Sequence, residues 1–246
     1  MTTVGVSLKM YFGHEQAREW FAAVAALPAR PGVELFVIPS FLAIPAALER
    51  FADTPVTVGA QDLFWEDRGA FTGEISGEEL VELGVGVVEV GHAERRRLFG
   101  ETDETVALKT AAALRNGIAP VLCLGEITQG TPEEAAAFCL AQLDSALAEA
   151  PAGRVIVAYE PVWAIGAPEP APADYIRAVC GWLRRAIAVL PGRDDSVVIY
   201  GGSAGPGLLT ELGDDVDGVF LGRFAHDVSA LAAVLDEAAA REVPAP

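Results

Sequence analysis

Three residues with side chains able to move protons or hold charge stand at the ends of apolar segments in this chain. Glu160 follows the apolar run Val155-Ile156-Val157 and begins a loop that continues through Pro161 and Trp163. A carboxyl group held among apolar side chains has a raised pKa, which suits it to abstract a proton near neutral pH. The alternative interpretation of Glu160 is an ordinary ion-pair partner at a strand end.

His92 and Lys9 end two further apolar segments. His92 precedes a short helical stretch, and the positive end of that helix dipole favours neutral imidazole over imidazolium. A lysine at the end of an apolar strand loses solvation energy unless it meets an anion, so Lys9 could bind an anionic ligand. Both residues also have structural interpretations, because His92 could be a buried packing residue and Lys9 could pair with Glu94.

Glycine-rich segments after two later apolar runs are typical of phosphate-binding loops. These segments are Tyr200-Gly201-Gly202-Ser203 and Leu221-Gly222-Arg223. Glycine allows backbone N–H groups to approach a phosphate closely, although most Gly-Gly-Ser segments are simple turns. The segment from Pro161 to about Ala171 has the features of a lid, with a fixed φ at its root and a bulky Trp163 as anchor.

The elements that must position these residues alternate strictly along the chain. Short β-branched runs predict eight strands: Val4–Lys9, Val33–Ile38, Val56–Gln61, Val85–Val90, Ala119–Leu124, Val155–Tyr159, Ser196–Tyr200 and Val216–Leu221. Helices are predicted between and after them: His14–Leu27, Leu42–Phe51, Gly77–Leu83, Glu101–Asn116, Pro132–Glu149, Ala173–Leu190, Gly205–Leu212 and Asp227–Ala240.

Strands that are apolar throughout are expected in a parallel sheet covered on both faces. Eight strand–helix units in this length predict an α/β fold, a single (β/α)₈ TIM barrel over residues 1–246, with its site at the carboxyl ends of the strands. A doubly wound sheet is the alternative, weakened by the lack of a glycine-rich G-x-G-x-x-G turn after the first strand.

Composition excludes several classes of function. The chain has 246 residues, 52% of them hydrophobic, and a formal net charge of −18. This charge disfavours nucleic acid as a partner, because no basic face is available to displace phosphate counterions. No run of about 18 apolar residues and no signal-peptide pattern is present, so we expect no membrane association and a cytoplasmic location. The three cysteines, Cys123, Cys139 and Cys180, are expected to be reduced thiols.

The motifs, taken in order, identify a resemblance that covers essentially the full length. They are Lys9-Met10, Ala60-Gln61, Gly69 to Ser76, Gly91-His92-Ala93-Glu94-Arg95-Arg96, Leu124-Gly125-Glu126, Ala158 to Gly166 and Tyr200 to Ser203. The chain resembles the triosephosphate isomerase family, whose members tune the pKa values of their catalytic groups and close a loop over the substrate.

The resemblance implies a role for each candidate residue. Glu160 would move a proton between adjacent carbons, His92 would polarise the carbonyl, and Lys9 would supply positive charge. In support, Glu94 would orient Lys9, and Cys123 would pack behind the site. Phosphate would be held by backbone N–H groups of Gly166, Ser203 and Gly222. No metal and no organic cofactor is implied.

The resemblance also implies a homodimer, with the Gln61–Ile75 segment as the dimerisation loop and Thr72 near its tip. Its implied reaction is the aldose–ketose isomerisation of triose phosphate, as in glycolysis and gluconeogenesis.

The chain departs from the family pattern at five places. Ser7 stands where asparagine is expected, Tyr11 replaces a second asparagine, and Ala93 replaces a serine; Pro168 and Pro170 lie in the far hinge of the lid, and Gly222-Arg223 replaces a Gly-Gly pair. Arg223 could be an added phosphate ligand, a plug of the pocket, or a residue turned to solvent.

Because of these departures, the sequence does not decide between several substrates. We expect a small phosphorylated sugar, with triose phosphate first. The alternatives are a four-carbon ketose phosphate, or a weakly active or inactive phosphosugar-binding protein.

Overall fold

Eight parallel strands close into a barrel in the computed structural model, which describes residues 1–241. The strands follow one another around the barrel in chain order and β1 closes on β8. Their bounds are β1 Thr2–Ser7, β2 Val33–Ile38, β3 Thr57–Ala60, β4 Val87–Val90, β5 Ala119–Leu124, β6 Ile156–Tyr159, β7 Val197–Tyr200 and β8 Gly218–Leu221. The predicted (β/α)₈ barrel is therefore confirmed, and the doubly wound alternative is wrong.

Helices follow the strands and surround the barrel. Within residues 1–241 the α-helices are α1 His14–Ala25, α2 Ile44–Phe51, α3 Gly77–Leu83, α4 Ala93–Phe99, α5 Asp103–Arg115, α6 Pro132–Leu147, α7 Ala173–Ala188, α8 Leu208–Leu212 and α9 Val228–Arg241. Two helices follow β4, since the short α4 begins directly after His92 and α5 completes the unit. Residues 242–246, the end of the predicted domain, lie outside the described residues.

The strands are apolar throughout because each one is buried on two sides. The inward side chains fill the barrel with a cluster of Phe36, Ile38, Val87, Val121, Cys123, Ile156, Ala158, Ile199 and Phe220. The outward side chains pack with the helices in a larger, separate cluster. In this arrangement most polar groups of the barrel lie at the strand ends and in the loops, with Glu89 of β4 as an exception.

The largest difference from the predicted strands concerns Lys9. The first strand was expected to end at Lys9 but ends at Ser7, because Lys9 has a φ of 47° in the left-handed region. That conformation is energetically unfavourable for a non-glycine residue, so other contacts must stabilise it. Nε2 of Gln61 donates to the Lys9 carbonyl at 2.8 Å, and the Leu8 amide donates to the Ile38 carbonyl at 3.0 Å.

Among residues 1–241, no helix combines the length and the apolar character needed to cross a membrane.

Candidate active site

A cleft of about 660 Å³ opens at the carboxyl ends of the strands. It is lined by most of the candidate residues: Ser7, Lys9, His92, Glu94, Glu160, Gly166, Ser203, Gly222 and Arg223. The exception is Cys123, which lies within the apolar filling of the barrel. Residues drawn from five strand ends thus meet in one concave site, the arrangement expected for an enzyme on this fold.

Glu160 lies at the end of β6, where two glycines make room for it. A Cβ on Gly125 would come 1.9 Å from the Glu160 carbonyl oxygen, and a Cβ on Gly201 would come 2.6 Å from its carboxylate Oε1. Only 5% of Glu160 is exposed. Burial, reinforced by the nearby charge of Glu89, raises the pKa of Glu160 to about 8. Such a carboxyl group is suited to accept a proton from carbon and return it near neutral pH.

His92 is held as a neutral imidazole with a defined tautomer. Its Nδ1 accepts the backbone N–H of Glu94 at 3.1 Å, at the first turn of α4. Because Nδ1 accepts, the ring proton resides on Nε2, which faces Glu160 Oε2 at 3.5 Å. Burial and the positive charge of Lys9 lower the pKa of His92 to about 4. The ring can therefore donate a hydrogen bond through Nε2 without carrying a charge.

Lys9 reaches the cleft from the loop after β1. Its Nζ donates to Glu94 Oε1 at 2.9 Å. Burial opposes the charge of Lys9, but the Glu94 hydrogen bond and the field of Glu160 outweigh it, and the pKa of Lys9 lies above its usual value. Lys9 is thus a cation held by Glu94 in the same cleft as Glu160 and His92.

One buried acid of the site was missed by the sequence analysis. Glu89 lies within β4, is 3% exposed and lines the cleft. Its Oε2 accepts the Ser7 hydroxyl at 2.9 Å, and its Oε1 lies 3.8 Å from Nε2 of His92. Burial raises the pKa of Glu89 to about 7, although the Ser7 hydrogen bond and Lys9 oppose this shift. The available signal was one charged residue, three positions before His92, inside an apolar strand.

The lid segment rests on the end of β7. The hydroxyl of Tyr200 accepts the Ala171 amide at 2.9 Å, and the Ser203 hydroxyl lies 2.9 Å from the carbonyl oxygens of Ala164 and Ala167, to either of which it can donate. At the root of the lid, Nε1 of Trp163 donates to Glu126 at 2.7 Å. These contacts fix both ends of the segment and bring its Gly166 to the cleft wall.

Arg223 stands at the mouth of the cleft, against the lid. Its Nη2 donates to the Gly166 carbonyl at 3.4 Å, and the side chain is exposed. Within residues 1–241 no carboxylate forms a salt bridge with Arg223.

Cys123 occupies the position expected for a packing residue. It is 3% exposed, and burial, together with the field of Glu160, raises the pKa of its thiol well above the usual value. The thiol stays protonated and uncharged beneath the carboxylate. Cys139 and Cys180 are also buried and free.

Comparison with known proteins identifies the family of this site. The family model described as triosephosphate isomerase matches residues 2–238. The chain belongs to the triosephosphate isomerase family. Glu160, His92 and Lys9 accordingly stand in a member of an isomerase family, and the protein is an isomerase.

Relatives within the triosephosphate isomerase family carry two different names. The chain is 54% identical to L-erythrulose-1-phosphate isomerase of Pectobacterium atrosepticum, covering 96% of this chain and 95% of that protein. It is 44% identical to the protein of the same name from Rhizobium etli, covering 92% and 88%. It is 37% identical to triosephosphate isomerase of Moorella thermoacetica, covering 93% and 95%.

Most departures from the triosephosphate isomerase pattern lie on the cleft wall. Ser7, Tyr11, Ala93, Pro168 and Arg223 all line it. The ring of Tyr11 packs edge-on against His226 with centroids 5.1 Å apart, so it is fixed at the rim rather than free. The altered residues line the same cleft as Glu160, His92 and Lys9 without replacing them.

Proposed function

We propose that this protein isomerises a four-carbon ketose phosphate, L-erythrulose 1-phosphate, by moving its carbonyl group one carbon away from the phosphate. The observation that carries the proposal is the 54% identity, over nearly the full length of both chains, to a relative named for that substrate. The identity to a triosephosphate isomerase of comparable coverage is 37%. The retained Glu160, His92 and Lys9 support the same class of chemistry for both substrates.

In the proposed reaction Glu160 removes the proton from C3, which lies next to the C2 carbonyl. The electron pair of that C–H bond forms the C2–C3 double bond of an enediolate, and the carbonyl electrons move to the C2 oxygen. Glu160 then returns its proton to C2, so that the carbonyl forms at C3 and the phosphate stays on C1. The raised pKa of Glu160, about 8, suits it to carry the proton between the two carbons.

His92 and Lys9 would stabilise the negative charge that develops on the oxygens. His92 donates from Nε2, moves a proton between the C2 and C3 oxygens and stays neutral at rest, because its pKa is about 4. Lys9 supplies the permanent charge, oriented by its 2.9 Å bond to Glu94. Donors and charges that are already positioned where negative charge develops stabilise the transition state most strongly in a site that excludes water.

The product of this reaction is a second ketose. A triose carries its new carbonyl on a terminal carbon and becomes an aldose, whereas C3 of a four-carbon sugar still bears the C4 hydroxymethyl group. The aldose–ketose reaction expected from triose phosphate becomes a ketose–ketose reaction here. A four-carbon substrate also removes the basis for the expected role in glycolysis and gluconeogenesis.

The phosphate end of the substrate would lie between the lid and the last two strand ends. The backbones of Gly166, Ser203 and Gly222 meet there, and Arg223 adds a guanidinium at the mouth. The lid contacts through Tyr200 and Ser203 would exclude water, which otherwise promotes loss of phosphate from an enediolate.

We further propose a homodimer assembled through the Gln61–Ile75 loop. In this loop the exposed Phe71 stacks on Phe64 with centroids 4.7 Å apart. A cytoplasmic location is proposed from the three free, buried thiols.

The test is to incubate the purified protein in D₂O separately with L-erythrulose 1-phosphate and with dihydroxyacetone phosphate, following deuterium and carbonyl position by NMR. From the tetrulose phosphate we expect a product with a new C3 ketone and deuterium at C2, and deuterium at C3 in the substrate that is returned, with kcat/KM at least about tenfold above that for the triose. The Glu160→Gln protein, purified identically, controls for host isomerases. Turnover of the triose alone would assign triose phosphate as the substrate and overturn the proposal.

A further inference from the structure

Glu89 is a charged residue facing the inside of a barrel that is otherwise filled with apolar side chains. Successive side chains of a strand point to opposite faces, and Val87, two residues earlier on β4, packs inside the barrel with Phe36, Ile156 and Phe220. Glu89 therefore points inward, at the layer where the apolar filling ends and the cleft begins.

The neighbours of Glu89 do not explain its burial. Its Oε2 accepts one hydrogen bond, from the Ser7 hydroxyl at 2.9 Å. The nearest lysine, Lys9, is bonded to Glu94 instead, and within residues 1–241 no lysine or arginine forms a salt bridge with Glu89. A buried carboxylate without a paired cation is unfavourable in the free protein. A substrate group that donates a hydrogen bond to Glu89 would offset that cost.

Glu89 lies at the end of the cleft opposite the phosphate loops. In a closed barrel of eight strands in sequential order, β4 faces β8, so Glu89 lies across the barrel from Gly222. The reacting carbons belong in the cleft beside Glu160 and His92, whose Oε2 and Nε2 are 3.5 Å apart. Glu89 Oε1, only 3.8 Å from that Nε2, is next to the carbon farthest from the phosphate.

We propose that Glu89 and Ser7 bind the C4 hydroxymethyl group that a four-carbon substrate carries beyond its reacting carbons. This inference rests on the proposed function. In the complex, Glu89 Oε1 accepts the C4 hydroxyl while Ser7 continues to hold Oε2. The short serine, where the family pattern has asparagine, leaves space beside Glu89 for the additional carbon.

The same pair discriminates against a triose. A three-carbon substrate has no hydroxymethyl group at this end, so it excludes water from Glu89 without supplying a hydrogen bond in return. Hydrogen bonds to charged groups are worth about 1.5–3 kcal/mol, which corresponds to roughly ten- to a hundredfold in kcat/KM. Sites built to bind a hydroxyl group reject analogues that lack it for this reason.

The experiment compares kcat/KM of wild type, Glu89→Leu, Glu89→Gln and Ser7→Ala on L-erythrulose 1-phosphate and on dihydroxyacetone phosphate. Glu149→Leu is the matched control, since it removes an exposed carboxylate just after α6. For Glu89→Leu we expect the ratio of tetrulose to triose kcat/KM to fall by about ten- to a hundredfold. For Glu89→Gln this ratio should fall less, because the amide oxygen still accepts a hydrogen bond from the C4 hydroxyl. Ser7→Ala should lower the ratio as well. Glu149→Leu should keep the wild-type ratio.

The outcomes separate this inference from the proposed function. Equal losses on both substrates in Glu89→Leu and Glu89→Gln would show that Glu89 acts through structure alone, and the inference would be overturned while the proposed function stands. If the leucine variant does not fold, the ratios of Glu89→Gln and Ser7→Ala decide, and wild-type ratios in both would overturn it. A wild-type protein that leaves the tetrulose phosphate unchanged would overturn the proposed function, and this inference with it.

Discussion

Oε2 of Glu160 lies 3.5 Å from Nε2 of His92, and this buried oxygen has no hydrogen-bond donor within residues 1–241. A buried carboxylate oxygen left without a donor is unfavourable in the free protein. Both residues line the cleft, where a substrate carbon bearing an acidic proton would approach this oxygen. The atom that would accept the proton in the proposed reaction is thus a buried acceptor without a donor.

Replacing Glu160 with glutamine tests this carboxylate as the base. The amide keeps the shape of the side chain but cannot accept a proton, so we expect kcat to fall by about three orders of magnitude, within the range of general base catalysis. KM should change by less than about threefold, because Glu160 makes no contact with the phosphate loops in this scheme. Steady-state kinetics with Glu149→Gln as control measure both; near-normal turnover by the Glu160 variant would exclude it as the base.

The dependence of kcat/KM on pH tests the electrostatic link between the two buried acids. Activity requires ionised Glu160, so kcat/KM should rise with pH through its pKa of about 8. The negative charge of Glu89 disfavours that ionisation, so Glu89→Gln should lower the pKa of Glu160 and move the acidic limb to lower pH. Profiles of both proteins on L-erythrulose 1-phosphate give the comparison, and an unmoved limb or one at higher pH would contradict the assigned coupling.

Arg223 is expected to bind phosphate from the cleft mouth. Replacing it with glycine should weaken binding of inorganic phosphate by roughly ten- to a hundredfold, the value of a charged hydrogen bond. Calorimetric titration measures this affinity, and Arg18→Ala on the exposed face of α1 controls for the loss of one positive charge. Affinities that agree within error would remove Arg223 from the phosphate site, and tighter binding by the variant would identify it as a plug.

The homodimer is testable through one aromatic side chain of the Gln61–Ile75 loop. Phe71 is 42% exposed near the loop tip, and Phe138 on α6 is 43% exposed. Phe71→Asp should convert the dimer to monomer at micromolar concentration, because a buried charge at an interface is costly, whereas Phe138→Asp should stay dimeric. Sedimentation velocity distinguishes the two, and a wild-type protein that is monomeric under these conditions would refute the assembly.

The fold was predictable from the chain because each strand is a short apolar run flanked by helical sequence. The second and fifth strands, Val33–Ile38 and Ala119–Leu124, were predicted with the observed bounds. The first strand was predicted to end at Lys9, two residues beyond its observed end at Ser7. The left-handed turn at Lys9 depends on contacts with Gln61 and not on local propensity.

The meeting of Glu160 and His92 was predictable for a different reason. Both residues stand at strand ends, and strand ends of a parallel barrel converge at one face. Glu89 gave no such signal: a strand covered on both sides has no alternating pattern to show which side chains face the lumen. The hydrogen bonds that Tyr200 and Ser203 form with the lid were also not predictable, because the sequence assigned both residues to a phosphate-binding loop.

The positive groups of the cleft, among them Lys9, Arg97 and Arg223, are set in a chain whose net charge is −18. An approaching phosphate dianion meets repulsion at long range and attraction only within the last few ångströms. Because the screening length shortens from about 30 Å at 0.01 M salt to about 10 Å at 0.1 M, moderate salt should remove more repulsion than attraction. Capture of substrate should accordingly quicken as salt is added over this range, visible as a rise in kcat/KM; a steady decline would mean that the local cations dominate the field at all distances.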